Sequence, residues 1–189
     1  MSEQPIRNRF GYASHFPILA GVIARAGGDV LELGCGEGST PLLHYMSGHN
    51  GFGKLLTIEM DPYWAMQFNL GYYGDCHDFL KLTPKDDSVQ AKIDAWVECM
   101  DSVEPAKWQV AFIDFAPGEG RVPVIKKLKG LVDYIVVHDT EGDEPGGGGN
   151  YGWKQLDGMF KYQSIFKRFR PWTTVYSDLY DFHIEECDR

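Results

Sequence analysis

The stretch VLELGCGEGST, Val30–Thr40, decides how the chain is read. An apolar run carrying one acid, Glu32, ends at Leu33. Glycines then stand at the alternate positions Gly34, Gly36 and Gly38, and two hydroxyls, Ser39 and Thr40, follow. A short apolar run stopped by glycine has the pattern of a buried strand, and Ser39 is placed to cap a following helix. Three alternating glycines are expensive in a turn that only reverses the chain. They let the backbone approach a ligand, and a helix N-terminus behind them favours a carboxylate or a phosphate.

Outward from this turn, strands alternate with helices. Phe16, Leu19, Ile23 and Ala26 recur at helical spacing, so His15–Ala26 reads as a helix before the strand DVLELG. Thr40–Ser47 reads as the helix after it. KLLTIE is a second strand, and Asp61–Leu70 a helix with Pro62 in its first turn. The interval from Glu59 to Asp75 is tight for a crossover helix plus a strand, so the third strand is placed at Asp78–Thr83. Val89, Ile93, Trp96 and Met100 share a helical face, capped by Asp87 or Ser88. WQVAFIDF is a fourth strand, RVPVIKKLKGL a helix with Val124, Leu128 and Leu131 inward, and DYIVVHDT a fifth strand. YGWKQLDGMFKYQSIFKRF reads as a helix carrying Trp153, Leu156, Phe160 and Phe166; WTTVYS and YDFHIE read as a terminal hairpin. The fold class is thus α/β: a doubly wound, mostly parallel seven-stranded sheet with a C-terminal antiparallel hairpin and helices on both faces.

Composition narrows the function classes. The chain's 189 residues suit one domain, 1–189, and 43% are hydrophobic. A net charge of -9 disfavours a nucleic-acid partner. The one basic cluster, Lys161, Lys167, Arg168 and Arg170, reads as the solvated face of a helix. No apolar run approaches the roughly 20 residues of a membrane span, and the first residues lack a signal-peptide core, so a cytoplasmic location is expected. Cys35, Cys76, Cys99 and Cys187 form no CxxC pair, which fits reduced thiols. A small-molecule substrate is the expected partner, and a homodimer is compatible with such a chain.

In sheets of this kind the ligand sits beyond the carboxyl ends of the strands, near the switch in strand order. A dinucleotide site shows GxGxxG; here the spacing is GxGxG, with Glu32 and Glu37 beside it. Those acids would repel a pyrophosphate and attract a ligand carrying an ammonium and a sulfonium. VLELGCGEGST resembles the first motif of the Rossmann-like S-adenosylmethionine-dependent methyltransferases. LLTIEMDP, with Glu59 ending strand two, WQVAFIDFAPGEGR, with Asp114 ending strand four, and YIVVHDTE, with His138 and Asp139 ending strand five, follow in order. The order and register resemble the small-molecule O-methyltransferases related to catechol O-methyltransferase, over about residues 14 to 186.

That resemblance implies roles. Gly34, Gly36 and Ser39, with Cys35 in the same turn, would contact the methionine part of S-adenosylmethionine, and Glu32 its ammonium side. Glu59 would hold the ribose hydroxyls, since a carboxylate offers two oxygens. Thr83, or a residue just beyond, would contact adenine. Phe115, Arg121, His138, Asp139 and the Gly146–Tyr151 loop would form the acceptor site, the glycine-rich loop acting as a lid. Asp139 is the expected base, His138 its alternative, with Asp114 beside them. The resembling enzymes bind magnesium through two aspartates and an asparagine; Asp114 and Asp139 match the aspartates, whereas Thr140 stands in the asparagine position and the lysine base has no counterpart. A divalent cation such as magnesium at Asp114 and Asp139 is thus an expectation lacking its third ligand. His15 either caps its helix or lies over the site. The rival readings are a nicotinamide-dependent oxidoreductase, a hydroxylase-like metal enzyme, and a cofactor-binding scaffold without activity.

Overall fold

The central strands are buried at nearly every residue, so both faces of the sheet are covered. The computed structural model describes residues 13–48, 53–72, 75–103, 108–142, 149 and 151–183. In chain order these form α1 (Phe16–Ala26), β1 (Asp29–Leu33), α2 (Ser39–Gly48), β2 (Leu55–Glu59), α3 (Pro62–Tyr72) and β3 (His77–Lys81). Then come α4 (Val89–Ser102), β4 (Trp108–Ile113), α5 (Arg121–Leu128), β5 (Tyr134–His138), β6 (Tyr162–Phe166) and β7 (Thr173–Ser177). The strands make one seven-stranded sheet in the order β3-β2-β1-β4-β5-β7-β6. The first five are parallel; β7 runs antiparallel to both β5 and β6.

Neighbouring residues of one strand feed opposite layers, as the two-residue period of a strand requires. Val30, Val110 and Phe112 pack with Ile18, Leu19 and Val22 of α1 and Leu43 of α2. Leu31, Leu33, Ala111 and Ile113 pack with Trp96 and Met100 of α4 and Val124, Ile125 and Leu128 of α5. Ser88 caps α4, its side chain accepting from the Ala91 N–H. Asp61 caps α3 in the same way, accepting from the N–H groups of Tyr63 and Trp64, with Pro62 at the first helical position.

The chain after β5 departs from expectation. The stretch read as one long helix holds only a short 3-10 turn, Trp153–Leu156, followed by β6. Gly152 and Gly158 adopt positive φ (83° and 68°) and punctuate it. From Tyr162 to Phe166 exposure alternates residue by residue, which is strand behaviour. The hairpin is accordingly β6 with β7, Tyr162 opposite Ser177 and Phe166 opposite Thr173, one element earlier than expected. Tyr180–His183 is not a strand; the Ser177 hydroxyl accepts from the Leu179 and Tyr180 N–H groups and turns the chain away. The basic cluster flanks β6, Lys161 before it and Lys167, Arg168 and Arg170 after it, exposed but not helical. Leu131 is 46% exposed because α5 stops at Leu128. Most of the glycine loop before Tyr151 lies outside the described residues.

Candidate active site

Gly34 is glycine for a reason internal to the fold. Its φ is +92°, and a Cβ there would stand 2.7 Å from backbone atoms of Asp114 and Phe115. The turn is pressed against the end of β4, where β1 and β4 part and the strand order reverses. Gly36 differs: a Cβ there would meet nothing within 4 Å. Its side of the turn opens into a groove across the carboxyl ends of the strands.

The groove has two halves that share Cys35, Trp64 and Asp114. One, about 710 Å³, is bordered by Glu59, Asp61, Leu82, Thr83 and Pro84. The other, about 670 Å³, is bordered by Gly36, Glu37, Ser39, His15, His138 and Asp139. Of the residues expected at the cofactor, Cys35, Gly36, Ser39, Glu59, Thr83 and Asp114 border the groove, and Gly34 supports it from below. Trp64, which no sequence pattern singled out, stands at the junction of the halves.

Glu59 organises the first half. Its Oε2 accepts from the Cys35 N–H (2.8 Å), and its Oε1 accepts from the Met60 and Asp61 N–H groups (2.7 Å each). Burial pushes its carboxyl above the ordinary value, against the pull of those hydrogen bonds. A carboxylate has about four acceptor positions. Three are thus taken by backbone; the fourth faces the groove, where the Cys35 thiol also approaches it.

Glu32 does not line the groove. It points beneath α2 and is fully buried. Thr57 Oγ1 donates to its Oε2 (2.6 Å), and Thr40 Oγ1 donates to the same carboxylate while accepting from the Gly36 N–H (3.0 Å). Burial lifts the Glu32 carboxyl to about 7, although hydroxyl hydrogen bonds oppose the rise. Strand alternation explains the placement: Glu32 precedes Leu33 by one residue and so faces the α2 side. It holds the glycine turn through Thr40, and of the two motif acids it is Glu37 that borders the groove.

Behind the second half, and not among its lining residues, Arg121 is the hub. It is 4% exposed. Its Nε donates to Phe115 O (2.8 Å), its Nη1 to His138 O (2.9 Å) and Asp139 Oδ2 (3.3 Å), and its Nη2 to Asp114 Oδ1 (3.1 Å). Burial opposes ionisation of Asp114, but the His138 and Arg121 charges outweigh it and hold the carboxyl below its usual range. Phe115 stacks on Trp96 (centroids 4.1 Å apart) and belongs to the core and the first half, not to the acceptor side. The expected magnesium pair thus has a guanidinium between its two carboxylates and does not fit a cation held by Asp114 and Asp139 together.

His138 and Asp139 both border the second half. Asp139 has φ +58°, a left-handed conformation in which aspartate is among the better-tolerated residues, and this turn brings two successive side chains to one cavity. Ser14 Oγ donates to Pro171 O (2.7 Å), so it can only accept from His138 Nε2–H (2.8 Å). His138 Nδ1 faces Asp114 Oδ2 at 3.1 Å. Burial lowers the His138 pKa, but the Asp114 carboxylate outweighs it and the net shift is upward. Both ring nitrogens are thus engaged, Nε2 with Ser14 and Nδ1 with Asp114. His15 does not cap α1; its ring lies 4.7 Å from that of His138 and 4.8 Å from that of Phe112, over the groove.

No family model and no curated protein matches the chain. Its architecture matches solved structures. Cofactor-bound Rv0187 from MTB aligns over 93% of this chain and 85% of that one, with TM-score 0.59 and 17% identity. A protein described as an O-methyltransferase from Klebsiella pneumoniae aligns over 86% and 79%, with TM-score 0.57 and 16% identity. The chain has the Rossmann-like methyltransferase fold. The METTL16 MTase domain shares it at TM-score 0.51 and 13% identity, over 88% of this chain and 66% of that one.

Proposed function

We propose that the protein is an S-adenosylmethionine-dependent methyltransferase acting on a hydroxyl oxygen of a small molecule. The observation that carries this reading is Glu59, anchored by three backbone N–H groups at the end of β2 and bordering a cavity of ligand size. Its remaining oxygen position suits a ribose hydroxyl. Thr83 and Pro84 border the same half, on the side where adenine would lie. The open face of Gly36, the N-terminus of α2 and Glu37 border the other half and suit a carboxylate and an ammonium. A dinucleotide is disfavoured because Glu37, Glu59 and Asp61 would surround its pyrophosphate. Likeness in fold to an O-methyltransferase supports the same class. Two half-open clefts of small-ligand volume and a net charge of -9 favour a small acceptor over nucleic acid.

Bound S-adenosylmethionine supplies an electrophilic methyl group on its sulfonium. The chain has to align the acceptor, exclude water and take one proton. Asp139 borders the acceptor half, and Arg121 fixes one of its oxygens. The other, Oδ1, lies 3.6 Å from His138 Nδ1 and in this reading accepts the hydroxyl proton as the oxygen–methyl bond forms and the sulfonium–methyl bond breaks.

The test combines labelled S-adenosylmethionine with phenols, sugars and short RNAs. Label in a hydroxylated small molecule, lost in Asp139→Asn with cofactor affinity held within a few-fold, is the expected result. Asparagine also tolerates the left-handed conformation, so the variant isolates the charge. Label only in RNA, or full turnover by Asp139→Asn, contradicts the assignment.

A further inference from the structure

His15 carries an unexplained feature: it is 1% exposed, and neither ring nitrogen has a hydrogen-bond partner. A buried polar group without a partner is costly and calls for an explanation. One nitrogen of His15, one of His138 and one oxygen of Asp114 lie within 4.8 Å of one another; no other trio of His, Cys, Asp or Glu among the described residues meets this spacing. All three residues border the second half of the groove. We propose that His15, Asp114 and His138 form a binding site for a first-row divalent transition metal, with its open positions facing the acceptor.

The surroundings of the trio are those of a ligand set. His138 gives Nε2–H to Ser14, which is itself held by Pro171 O, so its Nδ1 is directed at the Asp114 side. Metal-bound imidazoles are oriented in this way by a partner on the other nitrogen. Asp114 Oδ1 is held by Arg121, leaving Oδ2 for the metal, and the 3.1 Å from His138 Nδ1 to that oxygen is the spacing of neighbouring ligands. Bonds of about 2.0–2.2 Å put ligand atoms roughly 3–4 Å apart, so the trio needs only slight contraction. A bound cation takes the place of the proton that otherwise joins Nδ1 to Asp114, and that proton is released. Two imidazoles and one carboxylate select manganese, iron, cobalt, nickel or zinc over magnesium or calcium. A hydroxyl or carboxylate of the acceptor would complete the shell. The acceptor's place in the shell rests on the proposed methyl transfer; the three protein ligands do not, and their test needs no turnover.

Chelator-stripped full-length protein is titrated with zinc, cobalt and magnesium chlorides by calorimetry. Expected are one zinc or cobalt per chain, weaker magnesium, and at least about a hundredfold loss of zinc affinity in His15→Ala. His44→Ala should bind as the wild type does, which separates the trio from the contact of His44 Nδ1 with His77 Nδ1 (3.1 Å). Zinc X-ray absorption on unmodified protein should count two imidazoles and oxygen without sulfur, and this reading stands even if His15→Ala fails to fold. Absent stoichiometric binding, unchanged affinity in His15→Ala, or a sulfur ligand overturns the site. S-adenosylmethionine affinity of the stripped protein, measured alongside, shows separately whether the cofactor reading holds.

Discussion

Replacing Glu32 by glutamine should change how stability depends on pH. The Glu32 carboxyl is fully buried, and burial raises its pKa from 4.5 to about 7. Between those values the folded chain keeps a proton that the unfolded chain releases. Its contribution is therefore fully present below about pH 4.5 and is lost as pH rises to about 7. At 1.36 kcal/mol per unit of pKa the swing is about 3 kcal/mol. Glutamine keeps the shape, accepts from Thr57 and can donate to Thr40, which still receives the Gly36 N–H. Urea unfolding of both proteins at pH 5, 6, 7 and 8 isolates the effect, because every other titrating group is shared. The variant should gain on the wild type by about 2.5 kcal/mol between pH 5 and pH 8. A stability difference that stays flat over this range would refute the reasoning, as would one of opposite slope.

Two further outcomes concern the frame of the groove. Gly34→Ala combines a positive φ with a Cβ 2.7 Å from the backbone of β4's end, and should cost roughly 3 kcal/mol or more, read as a lowered urea midpoint. Arg121→Met leaves Asp114 and Asp139 without their shared cation and should destabilise by about 3–5 kcal/mol. Arg121→Lys should recover only part of this, because an ammonium cannot reproduce four directed N–H bonds. A neutral result for Arg121→Met would mean that water already satisfies both carboxylates.

The sequence carried the frame of the site well, and for a local reason. Glycines, apolar runs and acids at strand ends are short-range signals, and they placed Gly36, Glu59, Asp114, His138 and Asp139 on one edge of the sheet. What lies after β5 was misread because Trp153, Leu156 and Phe160 happen to fit helical spacing. The state of that segment is settled by pairing between β5, β7 and β6, which no local pattern reports. Glu32 was assigned to the cofactor from its motif, yet alternation along β1 already turned it toward α2. Arg121 was expected at the acceptor; its actual partners, Asp114 and Asp139, come from the ends of two strands and meet only in the folded chain. Ser14 and Trp64 carried no signal, since a lone hydroxyl and a helical tryptophan are ordinary residues.

The most direct measurement is calorimetric titration of S-adenosylmethionine into the wild type and Glu59→Ala. The wild type should bind one equivalent. Glu59→Ala, still folded by circular dichroism, should bind roughly ten- to a hundredfold more weakly, because a charge-assisted hydrogen bond contributes about 1.5–3 kcal/mol. Equal affinity in a folded variant, or binding of a nicotinamide dinucleotide in place of S-adenosylmethionine, would contradict the reading of the groove.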